Sequence, residues 1–539
     1  MRMNYYKWLL LCMAVASIAT AGVRYVGMGP VSGKWDVGDS VIVAEGAFVP
    51  EGEVLDVERD VHIYFEGIEK FSVEGVLTIL GTVDEPVTIS CMEGWRGLQL
   101  NGETGWHTLN NVKFSSVLGL AHQCVEVLNG GLEMNGCSLE AAETCMRATA
   151  AELHVRSNSF LTHRLYSKAV ILNRLSGAAS SDCEFAPGNI FRDNFVRAIV
   201  PQLNPGDPID PFAVTAGLWI DESTNICLSH NDITVVSPLV AVGVRFGNSP
   251  ESGVQLWKLD YTIVYVESMS HMVIGVLNEV DGDLDVSKMT ITALGAPGFG
   301  SSCFFAARTS YIQISSTTSI MRNATDIFFN TSGAGRIDAN YIVKWTADGA
   351  TVAGVMGSQE NETQLLSDVD EYAINIGDSV WEADPGFAAV GELGQWETAA
   401  EMAAFYSLTA GSPCIDHGDP TRGHDPDNTR LDIGRFYYHQ TSSPVGERPE
   451  VAETVMLAAY PNPFNPSTTL RFEVANPGIL RVAVWDVLGQ VVYQSVVPVY
   501  SAGLQNVHFE ASGLASGLYI ARAELDGRFL GTQKLMLVK

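Results

Sequence analysis

The most constraining feature of this sequence is a long stretch of short apolar runs without helical periodicity. Between about Val41 and Tyr438, β-branched and aromatic residues alternate with turn residues, as in VHIYFEG, GVLTILG, PVTISC, GLQLNG and AGLWIDES. Many short strands separated by Gly, Asn, Asp and Ser predict an all-β architecture, either a sandwich, a propeller or a β-solenoid. At 539 residues the chain is too long for one ordinary core, which favours a solenoid or a large barrel.

A weak internal repeat favours the solenoid. An asparagine followed by an apolar strand recurs at Asn135 and Asn158, Asn111 precedes Asn135 at a similar spacing, and LSHNDI (228–233) repeats the pattern. One turn of a wide parallel coil needs roughly this many residues. Asparagine tolerates the left-handed backbone of a tight corner, and its amide can hydrogen-bond to the next coil. We therefore expect a column of asparagines at one corner.

Four sequence blocks resemble bacterial right-handed parallel β-helix proteins of the pectin-lyase-like superfamily. GVLTILGTVDEPVTISCMEGWRGLQLNG (75–102), with its WRGL element at 95–98, is similar to the opening coils of that superfamily. DPGF (384–387), SLTAGSPCIDHGDP (407–420) and DPDNTRLDIGRFYY (425–438) are similar to its closing segment. The resemblance implies a right-handed parallel β-helix over residues 22–440, with the closing segment as a cap on its end.

Both ends of the chain carry export signals. The first 21 residues combine Arg2 and Lys7, an apolar run and Ala19-Thr20-Ala21, as a secretory signal peptide does. Without this segment eight scattered cysteines remain, and no C-x-x-C pair suggests a zinc site. We interpret them as small buried side chains. No later window of about 18 apolar residues predicts a transmembrane segment.

A separate C-terminal domain follows a polar, proline-containing linker at 441–455. The prolines of YPNPFNP (460–466) stiffen the chain ahead of an alternating strand. Further alternating runs, including LRVAVWD, NVHFEA and LYIARAEL, predict a small β-sandwich over 456–539. YPNPFNPSTTLRF, VAVWDVLGQVV, ASGLASGLYIARAEL and KLMLVK together resemble the C-terminal sorting domain of type IX secretion cargo, and FlgD-like immunoglobulin modules. That resemblance implies recognition by the type IX secretion machinery and delivery outside, or onto the outer membrane of, a Gram-negative bacterium.

The net charge restricts the partners. With 32 basic and 62 acidic residues, the formal net charge is −30. An acidic surface repels nucleic acid and anionic membranes, so neither is expected as a partner. A polyanionic polysaccharide would need a metal ion or a local basic groove.

Catalytic candidates are few. The N-T-D, D-D, G-H-G and R-I-K blocks of the glycosidase branch are absent, whereas LWIDE (218–222) is close to the W-I-D-H block of pectate lyases, with Glu222 in place of the histidine. Asp221, Glu222 and Arg245 are the catalytic candidates, and Lys258 is a further possible base for a lyase reaction. The alternative is that Asp221 is an outward turn residue.

Two acidic clusters are candidates for calcium. Short-spaced carboxylates suit this hard cation, although neither cluster has EF-hand spacing. The clusters are Asp281, Asp283 and Asp285, and, as the preferred site, Asp425, Asp427 and Asp432.

We therefore predict an exported β-helix that binds carbohydrate or mediates adhesion. The first alternative is a polysaccharide lyase or glycoside hydrolase with a non-standard site, which a conjunction of Asp221, Glu222 and a nearby Arg or Lys would favour. The second alternative is a structural surface stalk.

Overall fold

The fold is described from a computed structural model of the chain. It describes residues 23–101, 105–115, 120–175, 189–200, 213–224, 226–247, 256–268, 270–280, 282–299, 301–308, 310–321, 327–332, 335–346, 355–356, 363–364, 374–377, 379–427, 429–440, 457–474, 478–485, 491–499, 503–525 and 528–539. The predicted signal peptide and linker lie outside these ranges. The described residues fall into two compact units, the first within Met1–Asp419 and Asp432–Tyr438, the second within Pro420–Leu431 and His439–Lys539.

The regular secondary structure of the described residues is almost entirely strand, as predicted. The strands of the first unit are β1 (Val23–Val26), β2 (Gly29–Pro30), β3 (Gly33–Trp35), β4 (Ser40–Val43), β5 (Ala47–Val49), β6 (Val54–Glu58), β7 (His62–Phe65), β8 (Phe71–Val73), β9 (Val76–Leu80), β10 (Val87–Cys91), β11 (Leu98–Leu100), β12 (Trp106–Asn110), β13 (Val112–Ser115), β14 (Ala121–Leu128), β15 (Gly131–Asn135), β16 (Ser138–Thr149), β17 (Glu152–Arg156), β18 (Ser159–Thr162), β19 (Lys168–Asn173), β20 (Asn189–Arg192), β21 (Phe195–Ile199), β22 (Thr215–Asp221), β23 (Ile226–Ser229), β24 (Asp232–Val236), β25 (Ala241–Gly247), β26 (Leu256–Asp260), β27 (Ile263–Glu267), β28 (Val273–Asn278), β29 (Asp283–Ser287), β30 (Thr290–Leu294), β31 (Ser302–Ala306), β32 (Tyr311–Met321), β33 (Ile327–Thr331), β34 (Arg336–Thr346), β35 (Val355–Met356), β36 (Thr363–Gln364), β37 (Ile374–Ile376) and β38 (Val380–Glu382), followed by the helix α1 (Ala399–Tyr406).

Three parallel sheets wind around a common interior. Each strand pairs in parallel with the equivalent strand of the next coil, for example β4 with β7 and β7 with β10. We name the sheets by their members. Sheet 1 runs through β1, β4, β7, β10, β13, β16, β18, β21, β24, β27, β30, β32, β34 and β38; sheet 2 through β2, β5, β8, β11, β14, β16, β19, β22, β25, β28, β31, β33 and β35; and sheet 3 through β3, β6, β9, β12, β15, β17, β20, β23, β26, β29, β32, β34 and β37. This arrangement is the predicted parallel solenoid.

Left-handed residues form the corner between sheets 3 and 1. The column with positive φ contains Asp60, Asn111, Gly136, Ser157, Asp193, His230, Tyr261, Lys288, Ser316 and Tyr341. Beside it lies the predicted asparagine column, in which Asn158 N donates to Asn194 Oδ1 at 3.0 Å and Asn194 N donates to Asn231 Oδ1 at 3.1 Å. The predicted frame was wrong in two coils. Asn111 is itself the left-handed corner residue, and Asn135 pairs with Asn110, so it lies before the corner. Cys137 takes the position equivalent to Asn158, and its amide donates to Asn158 Oδ1 at 2.8 Å.

The interior is apolar and closely packed. Inward side chains such as Ile89, Val155 and Leu228 are almost fully buried, and burying each contributes about 1.5–3 kcal/mol. Where sheet 2 is tightest, a Cβ on Gly243 would lie 2.6 Å from the carbonyl oxygen of Gly275, so only glycine fits. Six cysteines are free and buried, as expected, whereas Cys227 forms a disulfide, contrary to that interpretation.

The closing segment covers one side of the solenoid, where the sequence had predicted a cap over its end. Helix α1 begins at a capping box, in which Thr398 and Glu401 each accept a hydrogen bond from a backbone amide of the other residue. Met402 and Tyr406 of this helix pack with Tyr265 of sheet 1 in one apolar cluster. This face of sheet 1 is therefore buried.

Residues 432–438 continue the same cover. Lys288 Nζ donates to the backbone oxygen of Asp432 at 2.9 Å, and the Arg435 amide donates to Thr290 Oγ1 at 3.1 Å. The Arg435 guanidinium lies 3.8 Å from a carboxylate oxygen of Asp232, and both side chains are buried. The closing segment thus places a guanidinium beside a buried carboxyl of sheet 1 as well as making apolar contacts.

The second unit contains two antiparallel sheets. Its strands are β39 (Leu457–Tyr460), β40 (Ser467–Val474), β41 (Gly478–Trp485), β42 (Val491–Val499), β43 (Gly503–Glu510), β44 (Gly517–Leu525) and β45 (Arg528–Leu537). The sheet orders are β39-β40-β43 and β42-β41-β44-β45. Phe464, from YPNPFNP, is buried, and its amide donates to the Met536 oxygen at 2.9 Å. The proline-rich segment therefore packs onto the last strand as well as leading into β40.

Candidate functional site

A cavity of about 320 Å³ opens on the outer face of sheet 2. Strand alternation places polar and aromatic side chains there, because Leu172 and Ile220 point inward from β19 and β22 while Ile171 and Trp219 point outward. We call this the sheet 2 cavity. Its lining residues are Glu143, Thr144, Arg147, Tyr166, Lys168, Ile171, Asn173, Trp219 and Asp221.

One outward row of side chains crosses the site. Arg147 of β16 pairs in register with Ile171, Ile171 with Trp219, and Trp219 with Arg245 of β25. Asp221 lies two residues after Trp219 on the same outward side of β22, and therefore beside this row. The structure thus brings two of the predicted candidates, Asp221 and Arg245, together.

Asp221 and Arg245 form a rigid wall with Trp219. Arg245 donates to Asp221 at 2.8 Å and to Glu279 at 2.7 Å, and Trp219 Nε1 donates to the second Asp221 oxygen at 2.6 Å. The Arg245 guanidinium also lies 4.0 Å from the centroid of the Trp219 ring, within cation–π range. Because each group is held by at least two partners, the wall is preorganised for a ligand.

The cations of the cavity, Arg147 and Lys168, were missed by the sequence reasoning. Lys168 Nζ lies 4.8 Å from the Trp219 centroid and donates to the Tyr166 backbone oxygen at 3.3 Å. Burial lowers the pKa of Lys168 below its usual value, and the nearby charges of Arg147 and Arg245 lower that pKa further. Arg147 Nε is buried and makes no hydrogen bond with a described residue. The only sequence signal for Arg147 and Lys168 was that both occupy outward positions of adjacent strands.

The other catalytic candidates lie outside this cavity. Glu222 occupies a left-handed corner after β22, with φ of 47°, and forms an ion pair of 2.6 Å with Arg174 of the preceding coil. Lys258 is on β26 of sheet 3, where it lies 3.3 Å from Asp260. The conjunction that would favour an enzyme is therefore partial, because it includes Asp221 and Arg245 without Glu222 or Lys258.

The calcium candidates have protein partners. Asp432 accepts hydrogen bonds from the amides of Asp416 at 2.7 Å and Tyr438 at 2.6 Å. Asp427 accepts from the Thr429 hydroxyl at 2.6 Å and from the Gln440 amide at 2.8 Å. Burial raises the pKa of Asp427, but these hydrogen bonds outweigh burial, so the pKa lies below its usual value.

Two further carboxylates of the calcium candidates are Asp425 and Asp281. Asp425 is buried, and Asp281 lies outside the described residues. Within the described ranges, no group of three or more His, Cys, Asp or Glu side chains has the arrangement of a metal site. Calcium binding by Asp425, Asp427 and Asp432 stays a prediction.

Comparison with known proteins identifies the C-terminal segment. Residues 458–538 match the family described as the secretion system C-terminal sorting domain. This match indicates export by the type IX route, to the cell surface or the surroundings of the cell. No helix among the described residues is long and apolar enough to span a membrane.

The solenoid has no such informative match. No curated protein matches the chain. Among solved structures, the chain is similar to the enzymatically active domain of tailspike protein 4 from bacteriophage CBA120. The identity is 11% and the TM-score 0.23, and the match covers 90% of this chain and 63% of the tailspike chain.

Proposed function

We propose that this exported protein binds an acidic polysaccharide in the sheet 2 cavity. The observation that carries the proposal is that two cations, Arg147 and Lys168, line one cavity with Trp219 in a chain whose formal net charge is −30. Such a chain repels a polyanion everywhere except where cations are concentrated. The lining also includes the carboxylates of Glu143 and Asp221, and Asp221 is already paired with Arg245. This pairing supports the cavity as the local site for an anionic sugar.

The two cations suit a carboxylate. Hydrogen bonds between Arg or Lys and a carboxylate are charge-assisted, and each is about twice as strong as a neutral one. Partial burial strengthens them further, since the effective dielectric constant is lower than in water. The guanidinium of Arg147 and the ammonium of Lys168, which line the cavity, supply donors for a uronate.

Isothermal titration of the full chain with hexagalacturonate and with uncharged cellohexaose tests this proposal. We expect the acidic sugar to bind and Arg147→Gln to weaken its binding about tenfold to a hundredfold, because charged hydrogen bonds contribute about 1.5–3 kcal/mol. The matched control is Arg336→Gln, which removes an arginine on sheet 3 and should change nothing. Equal weakening of hexagalacturonate and cellohexaose binding by Arg147→Gln, or equal loss of hexagalacturonate binding in both variants, would contradict the proposal.

The proximity of Lys168 and Asp221 supports one alternative, a uronate lyase. An amine with a lowered pKa is more often present as the neutral free base, the form that a base abstracting the proton next to a uronate carboxylate must have. Ultraviolet absorbance from unsaturated uronates would reveal this reaction, and release of reducing ends alone would indicate a hydrolase. Binding without either signal leaves a carbohydrate-binding or adhesive protein, and absence of binding leaves a structural stalk.

A further inference from the structure

A second ligand surface lies on sheet 3, away from the sheet 2 cavity. Trp106 is the first residue of β12, and its side chain is 40% exposed although it is the largest apolar type. Large aromatic side chains are usually buried or pair with a partner when they are exposed. The residues around the Trp106 ring therefore indicate what could bind to it.

The Trp106 ring lies flat on the sheet because the next coil provides a glycine. Trp106 pairs in register with Gly131, and a Cβ added to Gly131 would lie only 2.4 Å from the indole Cδ2. Thus one ring face packs on the backbone of Gly131. The ring also lies 4.7 Å from the imidazole of His154, centroid to centroid, at an interplanar angle of 46°. Two contacts fix the orientation of the indole and leave its other face outward.

Two carboxylates border the exposed ring. Glu152 pairs in register with Gly131, directly beyond the ring, and Glu133 pairs with His154. Both glutamates are exposed, and neither makes a hydrogen bond or ion pair with a described residue. Their fields reach the imidazole, since they oppose the lowering of the His154 pKa that burial and Arg156 cause. Hydrogen-bond acceptors therefore lie on the next two coils, beside the ring.

We infer that Trp106, Glu133 and Glu152 bind an uncharged pyranose sugar. The C–H face of a pyranose is apolar and matches the outward face of an indole, while its hydroxyls donate to carboxylates at the ring margin. A uronate is excluded, because its carboxylate would face two glutamates.

This platform and the sheet 2 cavity make opposite demands on charge. The platform therefore serves a neutral unit of a glycan, or a separate neutral chain. It does not depend on the proposed binding of acidic sugar, because it shares no side chain with the cavity.

Titration of the full chain with cellohexaose, mannohexaose and xylohexaose tests the platform. We expect at least one of these neutral sugars to bind and Trp106→Ala to weaken its binding about tenfold. Gly131→Ala should weaken binding similarly while keeping the tryptophan, because the new methyl group displaces the ring from the sheet. Arg147→Gln should leave this binding unchanged, which distinguishes failure here from failure of the acidic site.

A matched control is available in Phe299. This side chain is 50% exposed and lies 5.4 Å from the ring of His271, so Phe299→Ala removes an exposed aromatic ring with a similar partner. It should bind as the unmodified protein does, and circular dichroism should show that all variants are folded. Absence of binding to all three sugars, or equal weakening in Phe299→Ala, would overturn the inference.

Discussion

Sheets 1 and 2 are built from the same coils, yet their outer faces differ. On sheet 1, Tyr265 and Thr292 are buried under the closing segment, where Tyr406 bonds to Thr292 at 2.8 Å. On sheet 2, Arg147 and Trp219 remain open to a cavity. The repeated backbone provides equivalent positions on both faces. Coverage by one later segment decides which face stabilises the fold and which can bind a ligand.

The largest effect is expected on the covered face. Tyr406→Ala should lower the free energy of unfolding by about 3–5 kcal/mol, since it opens a cavity among Phe387, Trp396 and Phe405. Tyr406→Phe should cost only about 1 kcal/mol, because it removes one hydrogen bond. Urea unfolding of the full chain measures both values. If Tyr406→Ala were as mild as Tyr406→Phe, the closing segment would not be an integral part of the core.

The buried carboxyl of Asp232, which faces Arg435 of the closing segment, predicts a dependence on pH. Burial raises the pKa of Asp232 from 3.8 to about 7. The charge of Arg435 opposes this rise, and the charge of Asp193 adds to it. Arg192 and His230 also lie beside these groups. The folded state then holds a proton that the unfolded state releases. This contribution of Asp232 to stability is therefore fully present below about pH 4 and is lost as the pH rises to about 7, by up to about 1.4 kcal/mol per pH unit. The lowered pKa of His230 acts in the opposite direction, because below about pH 6.5 the unfolded state binds a proton at this imidazole and the folded state does not.

Urea unfolding between pH 4 and 8 checks this dependence. Asp232→Asn should remove the contribution of Asp232, leaving that of Asp193, whose pKa burial raises to about 6, and the opposing one of His230. An unchanged slope in Asp232→Asn would show that the covered carboxylates do not control the stability of this face.

The two faces also differ in how far the sequence could predict them. Strand alternation, the left-handed corner and the asparagine column follow from local rules, and all three are present. The coverage of sheet 1 could not be predicted, because Tyr406 and Thr292 are distant in sequence. The grouping of Arg147 with Lys168 and Trp219 was equally hidden, since coil lengths differ and Ile171 pairs with Trp219 across a much longer connection than Trp219 with Arg245.

The smallest effect is expected on the open face. Because its pKa is lowered, the ammonium of Lys168 loses its proton at a lower pH than an ordinary lysine does. The affinity for hexagalacturonate should therefore fall severalfold as the pH rises past this lowered pKa. Lys168→Arg should retain its affinity over the same range, since arginine stays charged. Titrations at increasing pH measure both.

Glu222→Gln is the control for that series. Its ion pair with Arg174 is exposed and outside the cavity, so this variant should follow the unmodified protein. The same decline in Lys168→Arg would contradict a role for the Lys168 ammonium.

The crystal structure of the full chain with hexagalacturonate tests the central claim most directly. We predict uronate carboxylates within hydrogen-bond distance of Arg147 and Lys168, on the uncovered face of sheet 2. A hexagalacturonate bound on another face, with the sheet 2 cavity empty, would contradict it.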